Sequence, residues 1–325
     1  MANEQKNFAL IGAAGYIAPR HMKAIIDTDN RLVAALDKSD SVGILDNFSY
    51  NVAFFTEFER FDRHAEKLRR QGEASQLHYI SICSPNYLHD AHIRFALRIG
   101  AHAICEKPLV LNPWNLDALA ELEQESGRHI YNILQLRVHP ALKALRERVI
   151  GGGRERRQQV ELTYITSRGN WYFHSWKGDA QKSGGVVTNI GIHFFDMLMW
   201  VFGPAQSFEV HLSDYKRMAG YLELANADVR WFLSVANDDL PAPVRAAGKS
   251  TYRSVSVDGQ EIEFSEGFVH LHTEVYRDIL AGGGYGVDQA RPSIELVHRL
   301  RQAQAVEISS DKCHTLTIAH RHQRG

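Results

Sequence analysis

The stretch "NFALIGAAGYIAPRH", residues 7–21, runs from an unbroken apolar segment through two glycines into a segment with Pro19 near its start. A short apolar run bounded by glycine reads as a strand buried on both faces. The following "APRHMKAIID" spaces its apolar residues by three and four, and proline is tolerated in a first helical turn, so it reads as a helix. Strand, glycine turn and helix start bring unpaired backbone N–H groups and the positive helix end to one point, which is a cradle for an anion. Its spacing is G-x-x-G-x-x-A through Gly12, Gly15 and Ala18, with Ala14, Tyr16 and Ile17 filling the turn. That is looser than the G-x-G-x-x-G fingerprint of a dinucleotide site, and a lone glycine turn is more often structural. Asp37 strengthens the ligand reading, because it closes the next apolar run, "RLVAALD" (31–37). An acidic side chain there can accept hydrogen bonds from an adenosine ribose and repels a 2′-phosphate, which selects NAD over NADP.

Outward from this unit the pattern repeats. "LHYISICS" (77–84), "AHAICE" (101–106) and "HIYNIL" (129–134) are further apolar runs, separated by helical patterns, two of which end at Gly72 and Gly127. Strand and helix in alternation imply right-handed crossovers and a doubly wound parallel sheet, an α/β Rossmann domain. After "IGGGRERRQQ" (150–159) the pattern becomes that of alternating, half-buried strands: 160–168, 207–215, 227–236, 251–257 and 260–266, with a hairpin at Asp258-Gly259. One apolar helix over about 185–202 lies among them, and two more follow at about 269–281 and 287–304. The chain is therefore expected to divide into residues 1–135, binding the dinucleotide, and 136–325, an α+β domain with an open-faced, mainly antiparallel sheet.

Composition excludes several classes. The 325 residues carry 37 basic and 38 acidic side chains, a formal charge of -1, without the basic footprint of a nucleic-acid binder. Three cysteines, Cys83, Cys105 and Cys313, show no paired spacing and fit a reducing compartment. The start lacks a secretory pattern and no apolar stretch reaches membrane-spanning length, so a cytoplasmic protein without membrane partners is expected. The histidine-rich "HDAH" (89–92) and "CHTLTIAHRH" (313–322) lack closed-zinc spacing, so no metal is expected and the tail reads as a mobile or edge segment.

Ligands of doubly wound sheets bind beyond the carboxyl ends of the strands. Two further motifs fall there. In "CSPNYLH", Pro85 keeps Ser84 out of helical geometry, Asn86 is a candidate N-cap and His89 follows. In "ICEKPLVLNP" (104–113), Glu106 and Lys107 stand where a buried strand ends. In the second half, "GGVVTNIGIHFFDMLMW" places Asn189, His193 and Asp196 at spacings of four and three, one face of a helix if it is regular. Polar residues on one stripe of an apolar helix suggest a wet cavity, although a satisfied core histidine is the commoner meaning.

Together these motifs resemble the glucose-fructose oxidoreductase / inositol dehydrogenase / rhizopine-catabolism (Gfo/Idh/MocA) family, with its glycine turn, "TPN..H" element, "CEKP" lysine and "D.G.H..D" helix. Asn189 stands where many members have aspartate. More narrowly, "NFALIGAAGYIAPRHM", "SICSPNYLH", "YNILQLR", "LTYITSRGNWY" and "SWKGD" resemble the branch that oxidises the 3-hydroxyl of UDP-N-acetylglucosaminuronic acid for bacterial O-antigen sugars. The resemblance implies NAD held by the turn residues, Asp37, Ser84, Pro85, Asn86, His89, Glu106 and Lys107. It implies that Lys107 and His193 handle the reacting hydroxyl, with either as the proton acceptor, and that a cis peptide precedes Pro108. The loop "YITSRGNWYFHSWKGD" then offers Arg168, Asn170, Trp171, Tyr172 and Lys177, with Asn189, to a UDP-sugar, the basic pair suiting its diphosphate or carboxylate. The same resemblance leaves open a non-catalytic sugar-nucleotide sensor or a dehydrogenase of another sugar or inositol, and recycling of NADH by 2-oxoglutarate. A sheet with too few helices for both faces implies a homotetramer.

Overall fold

The structure is a computed structural model and describes residues 5–152, 157–262, 270–306 and 311–322. It contains two compact units, one of Met1–Val138 and Phe268–Arg291, the other of His139–Gly267 and Pro292–Gly325.

The first unit is built on a six-stranded parallel sheet of order β3-β2-β1-β4-β5-β6, from β1 (Asn7–Ile11), β2 (Arg31–Leu36), β3 (Ala53–Phe55), β4 (Tyr79–Ile82), β5 (His102–Cys105) and β6 (Ile130–Asn132). The order reverses between β1 and β4, and there the carboxyl ends of adjacent strands diverge into a crevice. All of β1 is buried, which is why it reads as a continuous apolar run. The three-residue β3, Ala-Phe-Phe, is apolar throughout but too short to read as a strand. Helix Leu271–Leu280, distant in sequence, belongs to this unit: Val275, Tyr276 and Ile279 are buried in the same core as Phe8, Leu10 and Ile104.

The second unit holds a mixed sheet of order β12-β11-β7-β10-β9-β8, from β7 (Gln158–Thr166), β8 (Ala205–Ser213), β9 (Arg217–Leu224), β10 (Ala227–Ser234), β11 (Thr251–Val257) and β12 (Gln260–Glu261). β7 and β10 pair in parallel and the other neighbours are antiparallel. The hairpin at Asp258-Gly259 has φ of 50° and 78°, the left-handed pair that a tight turn requires. Strand β9 escapes the alternation rule because Gly220 interrupts it: a Cβ there would lie 2.1 Å from the Glu209 carbonyl oxygen. Residues 263–266 of the strand expected over 260–266 lie outside the described residues.

Alternation gives this sheet two faces. On one, Trp231 packs edge-on against Phe195 of helix Ile192–Phe202, with ring centres 5.2 Å apart. The helix expected over 185–202 is not uniform: Val187–Gly191 form a π turn and the α-helix begins at Ile192. Gly191 lets the turn press on β10, since a Cβ would sit 2.6 Å from Leu233 Cδ1. The stretch Ala180–Phe202 is, among the described residues, the one helical stretch long and apolar enough to cross a membrane, and 72% of its apolar window is buried inside the protein.

The tail corrects its sequence reading. Its described residues, 311–322, lie on a sheet face rather than at an edge: His314 is buried, its Nε2 lies 2.9 Å from Thr163 Oγ1, and Leu316 packs against the Ile165, Phe232 and Leu240 cluster on the other sheet face. His320 stacks on Phe232 and pairs with Asp239 at 2.7 Å. The reason is that Lys312, His314, Thr315 and His320 find polar partners in this unit, Glu209, Thr163, Glu161 and Asp239, so an apolar contact of a few residues suffices to dock it.

Candidate active site

In the first unit the glycine turn forms because only glycine fits it. Gly12 has φ of 93°, and a Cβ would lie 2.6 Å from the Cys83 carbonyl group at the end of β4. The turn thus closes onto the switch point, leaving Ala14 and Tyr16 exposed and Gly15 and Ile17 half-buried at the start of helix Ala18–Asp27. Asp37 accepts from the Ala14 backbone N–H and from that of Ser39, both at 2.9 Å, so it braces the turn and presents its carboxylate beside it. A backbone cradle that a methyl group would fill, flanked by an acidic side chain, fits NAD.

The ends of β4 and β5 are tied by His89, whose ring nitrogens lie 2.8 Å from the Ser84 carbonyl oxygen and 2.7 Å from that of Pro108. Ser84 Oγ meets His92 Nδ1 at 2.8 Å. The peptide between Lys107 and Pro108 is cis. Asn86 does not cap a helix as its type suggests: residues 86–88 form a 3₁₀ turn, so the helix that follows begins at His89, past its reach, with no side-chain cap. Lys107 itself is half-buried.

Beneath Lys107 lies a cluster that the sequence does not announce. Glu106 Oε1 accepts from His21 Nε2 and His272 Nε2, both at 3.0 Å, and Oε2 from the Lys107 backbone N–H at 3.2 Å. His21 Nδ1 meets the Tyr276 hydroxyl at 2.7 Å, which meets Ser81 Oγ at 2.6 Å. Burial alone would push the Glu106 carboxyl pKa up, but the two imidazole hydrogen bonds outweigh it and hold the group well below the usual carboxylate range. His21, Glu106 and His272 also lie close enough to share a metal ion, although hydrogen bonds account for every contact named. Glu106, expected at the cofactor, therefore turns both oxygens inward.

In the second unit, Asn189 donates to the Tyr172 hydroxyl at 2.8 Å, which fastens the loop after β7 to the π turn. π turns recur at functional sites. His193 is half-buried, its ring 4.2 Å from that of Phe194 and 5.8 Å from that of Tyr164. Asp196, expected on the same stripe, is 2% exposed, and the stripe is not one regular helix face, since a π turn carries Asn189 and the α-helix carries His193 and Asp196. Lys177 lies over the rings of Trp171 and Trp176, and Trp171 is 56% exposed. Arg168 is fixed through its backbone N–H to the Val235 carbonyl oxygen, and Asn170 precedes the short helix Trp171–His174. Arg253 joins this group without having been anticipated. It lies over Tyr164 and Phe194, the rings that hold His193. Its signal is an arginine in the strand phase otherwise occupied by Val255 and Val257.

Residues 6–133 match an oxidoreductase family with an NAD-binding Rossmann fold, and 158–240 match the C-terminal alpha/beta domain of the same family. The chain is 52% identical to the WlbA (WbpB) dehydrogenase from Thermus thermophilus, over 96% of this chain and 100% of that one. Its structures with NAD and alpha-ketoglutarate and with NAD and UDP-GlcNAcA superpose at TM-scores of 0.91 and 0.90. D-glucoside 3-dehydrogenase of Escherichia coli is 28% identical over 127 residues, 38% of this chain and 35% of its own. An uncharacterised oxidoreductase of Synechocystis sp. is 29% identical over 139 residues, 41% of this chain and 37% of its own. The match thus spans little more than a third of the length of these two curated relatives. With both family domains matched in order, and half of all residues shared with one member over nearly its whole length, the chain belongs to the Gfo/Idh/MocA oxidoreductase family.

Proposed function

We propose that the protein is an NAD-dependent dehydrogenase that converts the 3-hydroxyl of UDP-N-acetylglucosaminuronic acid to a ketone, in the cytoplasm, for bacterial O-antigen lipopolysaccharide sugars. The observation that carries this reading is the end-to-end likeness to a dehydrogenase whose structure holds NAD and UDP-GlcNAcA. When bound, NAD accepts the hydride that leaves carbon 3.

The residues supply the rest. In this reading the turn from Gly12 to Ile17, with Asp37, Ser84, Pro85, Asn86 and His89, holds the dinucleotide, and Glu106 acts from beneath. His193 takes the hydroxyl proton, imidazole being the side chain best suited to accept and release a proton near neutral pH. Lys107 donates to the same oxygen and stabilises its developing charge. Tyr172 and Asn189 fix the loop that carries Arg168, Asn170, Trp171 and Lys177 to the nucleotide. Residues 1–135, completed by helix Leu271–Leu280, serve the cofactor, and the rest of 136–325 the substrate and a homotetramer; sedimentation as a monomer at micromolar concentration would remove the tetramer. 2-Oxoglutarate regenerates NAD.

The test is turnover of UDP-N-acetylglucosaminuronic acid with NAD, monitored for the 3-keto product. Lys107→Ala and His193→Asn should each lose roughly 100-fold or more in kcat while NAD titration stays near wild type. Near-normal kcat in either variant defeats the residue roles, and equal turnover of UDP-N-acetylglucosamine defeats the substrate.

A further inference from the structure

We propose that Arg253 receives the carboxylate of the sugar nucleotide, and that the same guanidinium receives the distal carboxylate of the 2-oxo acid. This rests on the function proposed above and names the recognition element that its two substrates share.

Arg253 pairs with Tyr164 across β11 and β7, in the phase in which Val255 and Val257 are buried. An arginine in that phase gives up hydration and is worth keeping where an anion meets it. Its guanidinium carbon is 5.6 Å from the centre of the Tyr164 ring and 6.0 Å from that of Phe194. His193 packs on both of these rings, 4.2 Å from Phe194, so imidazole and guanidinium are at most about 10 Å apart. Lys177, by contrast, is engaged over two tryptophans on the loop. A group on the loop and a group beside His193 suit a ligand with two anionic ends, a diphosphate and a carboxylate. The planar two-pronged guanidinium fits the carboxylate.

The chemistry of the two substrates makes the assignment specific. In the uronate the carboxylate carbon is three bonds from carbon 3; in 2-oxoglutarate the distal carboxylate carbon is three bonds from the carbonyl carbon. Oxidation breaks the C–H and O–H bonds at carbon 3, releasing a hydride and a proton and forming the ketone. Reduction adds a hydride to the 2-oxo carbon and a proton to its oxygen, giving the 2-hydroxy acid, so the pair balances. A base at the reacting oxygen and one fixed guanidinium can then serve both molecules in turn.

Arg253→Met keeps the length of the stem and removes the fork; Arg253→Lys keeps the charge and loses the fork. Calorimetric titration should show Arg253→Met binding UDP-N-acetylglucosaminuronic acid and 2-oxoglutarate each at least roughly tenfold more weakly, with NAD affinity and melting temperature near wild type. The kcat/KM ratio of the uronate to UDP-N-acetylglucosamine should collapse toward one, and the advantage of 2-oxoglutarate over 2-oxobutyrate, which has no distal carboxylate, should vanish. Arg253→Lys should fall between, and it decides the matter if the methionine variant does not fold. Equal weakening of both sugar nucleotides would place Arg253 on the diphosphate and overturn the proposal, as would undiminished discrimination. A wild type that does not prefer the uronate condemns the substrate reading instead, which separates the two failures.

Discussion

Replacing Glu106 by leucine and by glutamine should give very different losses of stability. The leucine leaves three donors at a buried point without an acceptor: His21 Nε2, His272 Nε2 and the Lys107 backbone N–H. Each stranded donor costs ~1–3 kcal/mol, so the loss is ~3–9 kcal/mol, a large share of the ~5–15 kcal/mol that stabilises a typical fold. Glutamine can be accommodated. Its oxygen still accepts from Lys107, and its NH₂ group can donate to both imidazoles once they carry their proton on Nδ1. His21 can make that change because its Nδ1 faces the Tyr276 hydroxyl, which can accept as well as donate. His272 is left with an Nδ1–H that has no partner, and the charge that strengthened both bonds is gone. That amounts to ~1–3 kcal/mol, so leucine should cost at least ~2 kcal/mol more than glutamine. Urea unfolding at pH 7.5 measures it, read on the transition of the first unit because two units need not unfold together. Equal losses, or a leucine variant within ~1 kcal/mol of wild type, would refute the hydrogen-bond account. A chelator that destabilises the wild type would replace it with a metal-bridged one.

Asp37→Asn should narrow the preference for NAD over NADP by roughly tenfold or more, because it removes the negative charge while keeping an acceptor for Ala14 or Ser39; fluorescence titration with both cofactors checks it, and an unchanged ratio sinks the ribose role. His314→Gln should flatten the fall of stability in acid. Burial lowers the His314 pKa to about 4, so the unfolded chain takes up this proton near pH 6.5 and the folded one does not. Stability present above pH 6.5 is then lost as pH falls toward 4, by ~2 kcal/mol at pH 5, and variant and wild type should converge at that pH in melting experiments; parallel curves would exclude it.

What the sequence discloses and what it hides divide along one physical line. Contacts between near neighbours leave periodicity: the strands of the first sheet, the left-handed Asp258-Gly259 turn and the glycine-to-helix junction are each legible because a local run of residues has one low-energy use. Contacts across the chain leave none. Nothing around Tyr276 or His272 says that helix Leu271–Leu280 completes the first unit, since its apolar spacing would suit any sheet. The helix Pro140–Gly151 goes unnoticed beside the charged "RERVIGGGRERR" run, whose glycines suggest a linker. The π turn needs Gly191 against Leu233, a pairing 42 residues apart in sequence.

Site residues follow the same division. Gly12, Asp37, Lys107 and His193 stand out because each breaks a local rule at a strand end or on an apolar helix. Arg253 breaks one too, a charge in a buried strand phase, yet it passes as an ordinary surface arginine until the facing residue is known to be Tyr164. The tail shows the converse. Its histidines look like a solvated or metal-binding tract because their partners, Thr163, Phe232 and Asp239, lie on three separate segments of the sheet unit. Once docked, His314 and Leu316 cover part of the face whose exposure would call for a neighbouring subunit. The interface of the proposed tetramer would then lie on what the tail leaves open, so removing residues 311–322 should alter stability of the subunit before it alters assembly. Truncation that leaves the melting temperature unchanged while splitting the oligomer would show that the tail serves the interface instead.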